Sequence, residues 1–259
     1  MKRLAYSQKI VLTVFAFCLL FIPSPALPAW PFFADDFNDG QLKEEWVVNK
    51  KGGLLSETLG RLEMLFRAGA QGNPFWAALC SKAGLHAKPY SDFVMTVKYN
   101  LLKWPRPANG IRLGLRARIF NNSGKETASY CAAVISDPDF ITDDNPNGEV
   151  LAAIVNGVAV KTEKATSKRG TLTVRREYGI AQMEINAHGS TFEDVLSYTK
   201  GPLTSKDIGK VGWELVAWGH DWKFTGPVKV AFDNFYVASK KGFIETALPP
   251  ALILEGPEQ

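Results

Sequence analysis

The chain has 259 residues, 46% of them hydrophobic and 22% charged, with a formal net charge of +4. Three of its cations, Lys2, Arg3 and Lys9, lie in an acid-free leader; without them the balance is +1, which leaves no electrostatic footprint for nucleic acid. Gly (22) and Pro (15) are plentiful, as many short strands joined by tight turns require, and the length suffices for one large all-β domain.

At the start, basic residues up to Lys9 precede an apolar run from Ile10 to Ile22 and then Pro23-Ser24-Pro25-Ala26. This pattern predicts an export signal ending at Ala26, with Ala29 as a second possible end. The run is short for a membrane-spanning helix. Phe17 before Cys18, where a small residue is needed, argues against a lipoprotein anchor; an uncleaved anchor is the alternative. The expectation is residues 1–26 as a cleaved signal, a domain over 30–239 and a Pro-containing tail over 240–259. The mature protein is then exported, to the periplasm or beyond the cell, and leaves the membrane on cleavage.

Phe33-Ala34-Asp35-Asp36-Phe37 leads into a turn at Asn38-Asp39-Gly40. Extended segments follow at Trp46–Val48, at Leu62, Met64 and Phe66 after a turn at Leu59-Gly60, and from Phe75 to Leu79. Asp92 to Leu101 alternates. Lys103-Trp104-Pro105-Arg106-Pro107 is a loop, because prolines are excluded from central strands. Ile111 to Phe120 alternates most cleanly, with Ile111, Leu113, Leu115, Ala117 and Ile119 inward and Arg112, Arg116 and Arg118 outward. Ser129 to Ile135 is a further strand, followed by an acidic loop from Asp137 to Glu149 and a hairpin around Asn156-Gly157. Paired strands run from Thr171 to Arg176 and from Ile180 to Ala187, joined near Tyr178-Gly179, with a turn at His188-Gly189. Val211 to Trp218 is another strand, and Gly226 to Ser239 closes the domain. In that closing strand Val228, Val230, Phe232, Asn234 and Tyr236 share one face, and Lys229, Ala231, Asp233, Phe235 and Val237 the other. Apolar residues on both faces place it inside a sandwich, with Asp233 as a buried carboxylate in need of a partner. Short strands with turn signals and no sustained helical period predict an all-β, two-sheet antiparallel sandwich.

DDFNDGQLKEEW with LGRLEM resembles the opening of concanavalin A-like lectin/glucanase jelly rolls. GTLTVRREYGIAQMEINAHG is similar to their laminin-G-type hairpin, and VKVAFDNFYV to their last strand. The resemblance spans nearly all of the mature chain. It implies a jelly roll with carbohydrate often bound on the concave sheet, in a superfamily of lectins, glycoside hydrolases and adhesive modules. It also implies a structural Ca²⁺ joining the first and last strands. The positions here that match its ligands are Asp36 and Gly60, through backbone carbonyls, and Asp233, through its side chain. The residues alone leave Asp233 the alternative of accepting backbone hydrogen bonds or pairing with a base such as Arg61.

The hydrolases of that superfamily carry two or more acids on one strand, and this chain has only Gln182-Met183-Glu184-Ile185-Asn186 there. Glu184 with Glu214 is the remaining candidate acid pair, against two solvated glutamates. Arg112, Arg116, Arg118, Gln182, Glu184, Glu214 and Trp218 lie on the polar sides of their strands. On one sheet they would form a polar groove with an aromatic wall, suited to a glycan or polysaccharide; otherwise they are ordinary wet strand faces. The reading is a non-catalytic carbohydrate-binding domain, with a divergent glycoside hydrolase or a structural, adhesive envelope module as alternatives.

Asp143-Asp144-Asn145-Pro146-Asn147-Gly148 mimics half an EF-hand loop, but the twelfth position is Ile154, which favours a plain turn. His86, His188 and His220 lack metal-ligand spacing, and Asn121-Asn122-Ser123 matters as a glycosylation acceptor only on a eukaryotic secretory route. Cys80 and Cys131 are either one bridge, closing a loop of about fifty residues and worth ~4 kcal/mol, or two buried thiols.

Overall fold

The computed structural model describes residues 32–72, 74–82, 85–87, 92–165, 167–177, 180–188, 193–202, 210–220, 222–239 and 243–245. The leader, the Tyr178-Gly179 turn, Gly189 and the chain beyond 245 lie outside them.

The strands are, in order, β1 (Phe32–Asp35), β2 (Trp46–Lys51), β3 (Leu54–Glu57), β4 (Leu62–Phe66), β5 (Gly69–Ala70), β6 (Phe75–Ser81) and β7 (Leu85–Ala87). Then come β8 (Phe93–Lys103), β9 (Arg112–Phe120), β10 (Glu126–Ser136), β11 (Glu149–Val155), β12 (Val158–Lys164) and β13 (Arg169–Glu177). The last are β14 (Ile180–His188), β15 (Glu193–Pro202), β16 (Lys210–Gly219), β17 (Lys223–Phe224), β18 (Val228–Ser239) and β19 (Phe243–Glu245). A 3-10 turn, Pro138–Phe140, is the one helical element among the described residues.

Two antiparallel sheets carry the fold. The eight-stranded sheet runs β15-β14-β13-β8-β18-β4-β3, with β1 also paired to β18. The nine-stranded sheet runs β12-β11-β10-β9-β16-β6-β2, with β7 and β19 at the start of β16. Their inner faces meet in one core. From β9 this core takes Leu113, Leu115, Ala117 and Ile119, from β16 Trp213 and Leu215, and from β14 Met183 and Ile185. The alternation expected of Ile111–Phe120 is therefore real. The β11–β12 hairpin turns at Asn156 and Gly157, both at positive φ (50° and 81°), where Asn and Gly carry little steric cost.

Phe33, Trp46, Trp213 and Phe235 interlock across the two sheets, with Trp46 and Phe235 ring centres 5.1 Å apart. Asp35 is buried beside them. Its carboxylate accepts the Trp46 indole N–H (2.7 Å) and the Phe37 amide (3.0 Å). The opening motif thus seals one end of the core.

Two expectations are corrected. Apolar residues do not occupy both faces of β18. A bulge between Asp233 and Tyr236, with Asn234 at φ 51°, reverses the facing, so Val228, Val230 and Phe232 and then Phe235 and Val237 all turn inward. Asp233 is half-buried on the outer side. Within the expected tail, Phe243–Glu245 forms β19 and pairs with β7.

Candidate functional site

Three consecutive cross-strand rows of outward residues cross the nine-stranded sheet, with a further row of Ser129, Arg118 and Gly212 beyond the first of them. The first is Ile154, Cys131, Arg116, Glu214 and Cys80; the second is Ala152, Ala133, Gly114, Val216 and Ala78. The third is Val150, Ile135, Arg112, Trp218 and Trp76. Small residues thus form a band between a charged row and an aromatic one. Gly114 belongs there because a Cβ on it would stand 2.4 Å from the Cys131 sulfur.

Arg116 and Glu214 are both buried and bonded to each other. Burial works against the Arg116 charge, but the Glu214 carboxylate alongside more than restores it, and its pKa is raised. Arg118 behaves likewise: burial opposes its charge, and Glu214 and Glu126 outweigh that, the latter bonded at 2.8 Å. Arg112 is more open and pairs with Asp137 at 3.5 Å. Next to it Trp218 is 5% exposed, while Trp76 is half-buried, donates to Asn49 Oδ1 (3.0 Å) and has the Lys51 ammonium 5.7 Å from its ring centre. Phe140 packs on the same cluster. His220, near Arg112 and Asp137, has its pKa lowered by burial and then by the Arg112 charge.

Arg112, Arg116, Arg118, Glu214 and Trp218 therefore share one sheet face, as a groove requires. Gln182 and Glu184 do not join them. They lie on the outer face of the other sheet, where Arg175 binds both, to Gln182 at 2.6 Å and Glu184 at 2.9 Å. Glu184 and Glu214 thus point away from each other on opposite sides of the sandwich and cannot flank one glycosidic bond. Sequence reasoning passed over Trp76, Asp137 and Phe140. Alternation in β6 was the signal for Trp76, which shares a face with Ala78 and Cys80; the loop residues carried none.

No bridge joins the cysteines, which are buried free thiols. Strands β9 and β16 stand between them, three spacings or ~14 Å, beyond the reach of a disulfide. Burial pushes the Cys131 thiol up to about 12 and raises Cys80 strongly, with Glu214 adding to the latter.

The acidic Asp143–Gly148 segment is a turn, pinned by the Asn145 amide donating to the carbonyls of Phe140 (3.2 Å) and Glu149 (3.0 Å). Asp36, Gly60 and Asp233 meet where β1 hands over to β4 along β18, since Asp35 pairs with Phe235 and Leu62 with Phe232. The recess that Asp233 enters is also lined by Arg61, Lys98 and Arg169, whose charges weigh against a divalent cation there. Among the described residues no group of three His, Cys, Asp or Glu could hold a metal.

No protein-family profile and no curated protein sequence matches the chain. Solved structures do. Lectin I from Ulex europaeus, in complex with the methyl glycoside of α-L-fucose, superposes with a TM-score of 0.58 at 11% identity, over 81% of this chain and 98% of that one. Winged bean acidic lectin, complexed with methyl-α-D-galactose, gives 0.57 at 11% identity, over 83% and 100%. The CBM2 module of the evolved Dit of Lactobacillus casei BL23 phage J-1 gives 0.55 at 11%, over 82% and 97%. The chain has the concanavalin A-like jelly-roll fold of these lectins. At such identities the likeness extends to the fold and no further.

Proposed function

We propose that the protein is an exported, non-catalytic carbohydrate-binding domain. Its site is the aromatic row of the nine-stranded sheet, and its partner a glycan or polysaccharide. One observation carries this reading: Arg112, Trp218 and Trp76 are consecutive cross-strand partners, with Asp137 paired to Arg112 at their edge. An indole offers an apolar face to a sugar ring, and an arginine–aspartate pair offers donors and acceptors to its hydroxyls. Arg116, Arg118 and Glu214 support the platform, since their charges are already bonded within it. The jelly-roll neighbours crystallised with fucosyl and galactosyl glycosides support a sugar as ligand class. Export rests on the leader alone.

Hydrolysis is the weaker alternative, because Glu184 and Glu214 are on different sheets. A structural Ca²⁺ at Asp36, Gly60 and Asp233 has in its favour that the three meet along β18; the surrounding cations count against it. A glycan array probed with the full chain tests the reading. Retained sugar spots that Arg112→Ala or Trp76→Ala removes would support it. An array with no positive spot would leave an adhesive, protein-contacting module.

A further inference from the structure

The outer face of the eight-stranded sheet carries a recess of about 370 Å³, within the ~300–1,000 Å³ range of small-molecule sites. It lies over β13, β8 and β18. One cross-strand row across it is Thr171, Lys98 and Asp233; the next is Arg169, Asn100 and Ala231. Arg61 stands at its edge, and buried Ala231, the small residue between longer neighbours, leaves space at the bottom. The bulge in β18 after Asp233 and the change of partner from β4 to β1 interrupt the sheet surface at the same place.

The charge of this recess is lopsided. Arg61 is bound to Glu63 at 2.8 Å, and Lys229 reaches the same carboxylate at 2.5 Å. Burial alone would raise the Glu63 pKa, but these two cations hold it below its usual value, so Glu63 stays ionised and satisfied. Lys98, Arg169 and Asp233 form no ion pair within 4 Å among the described residues. Among the described residues the recess therefore presents two cations and one carboxylate outside any ion pair, flanked by the Asn100 amide and the Thr171 hydroxyl.

We propose that this recess binds a sugar bearing a carboxylate, a hexuronate. Lys98 and Arg169 take the sugar carboxylate, the guanidinium by its fork of donors. Asp233 accepts from ring hydroxyls, which a bare inorganic anion cannot offer. Asn100 and Thr171 complete the contacts. The site is separate from the aromatic row on the other sheet and does not depend on it.

Calorimetric titration of the full chain with D-galacturonate, D-galactose and inorganic sulfate tests the assignment. Galacturonate should bind at least tenfold more tightly than either of the others. Lys98→Gln with Arg169→Gln should remove that binding; both residues are exposed, so the melting temperature should stay unchanged. Asp233→Asn should strengthen sulfate and reduce the ratio of galacturonate to sulfate affinity. Arg112→Ala, which would disable the aromatic row, should leave the galacturonate binding that Lys98→Gln with Arg169→Gln removes. The proposal is overturned if galacturonate does not bind, if galactose or sulfate binds equally well, or if Asp233→Asn leaves the ratio unaltered. It is also overturned if Arg112→Ala, rather than the double variant, abolishes binding; that result would leave the proposed function standing.

Discussion

Arg116 and Glu214 sit side by side beneath the surface of the nine-stranded sheet, and each needs the other. Removing one partner strands a buried charge, so Glu214→Ala should destabilise by about 3–5 kcal/mol. Replacing both, as Arg116→Met with Glu214→Leu, should recover most of that loss; chemical denaturation of the two variants beside the parent measures it, and an unaltered single variant would contradict the pairing. The cysteines of the same row give a pH test. An unfolded thiol loses its proton near 9.0, whereas folded Cys131 keeps it up to about 12. The stability this contributes is complete below pH about 9 and is lost as pH rises toward 12. Both thiols should resist alkylation at pH 8 until the chain unfolds, and reductant should leave the melting temperature where it was. A melting temperature lowered by reductant would mean that a bridge exists after all.

At the scale of elements, strand β18 shows what a sequence hides. Its strict alternation reads as two apolar faces, but one extra residue at Asn234 lets Phe232 and Phe235, three apart, both reach the core. Inserting one more residue after Asn234 should force Phe235 and Val237 to the outer face and abolish cooperative unfolding, whereas Asn234→Gly, which suits φ 51°, should be tolerated. Calorimetry of the two variants distinguishes these outcomes. Packing on β9 gives a second test. Gly114→Ala should cost about 1–3 kcal/mol through the Cys131 sulfur, and Cys131→Ala in the same chain should restore part of it. Strand β9 was legible because its alternation is unbroken. The bulge was not, because no local residue marks it and only the pairing with β8, β4 and β1 shows the shift. Gln182 and Glu184 were misassigned for a related reason. Alternation assigns a residue to a face, and only long-range pairing assigns a strand to a sheet.

For the whole molecule, the sandwich was legible from composition, turn spacing and three motifs, while the site was legible only in part. Arg112 and Trp218 announced themselves by their strand faces. Trp76 and Asp137 acquire meaning only when β6, β9 and β16 lie together with the loop after β10. The buried acid of the opening motif is Asp35, bound to Trp46. With Arg61, Lys98 and Arg169 beside Asp233, the full chain should melt at the same temperature in excess calcium and in chelator, and a rise of several degrees with calcium would reinstate a metal at Asp233. The most direct measurement is the glycan array of the full chain beside its Arg112→Ala and Trp76→Ala variants, all checked for equal melting temperature. The parent should show neutral-sugar spots that both variants lose. Neutral-sugar spots that survive both substitutions unchanged would contradict the proposed function.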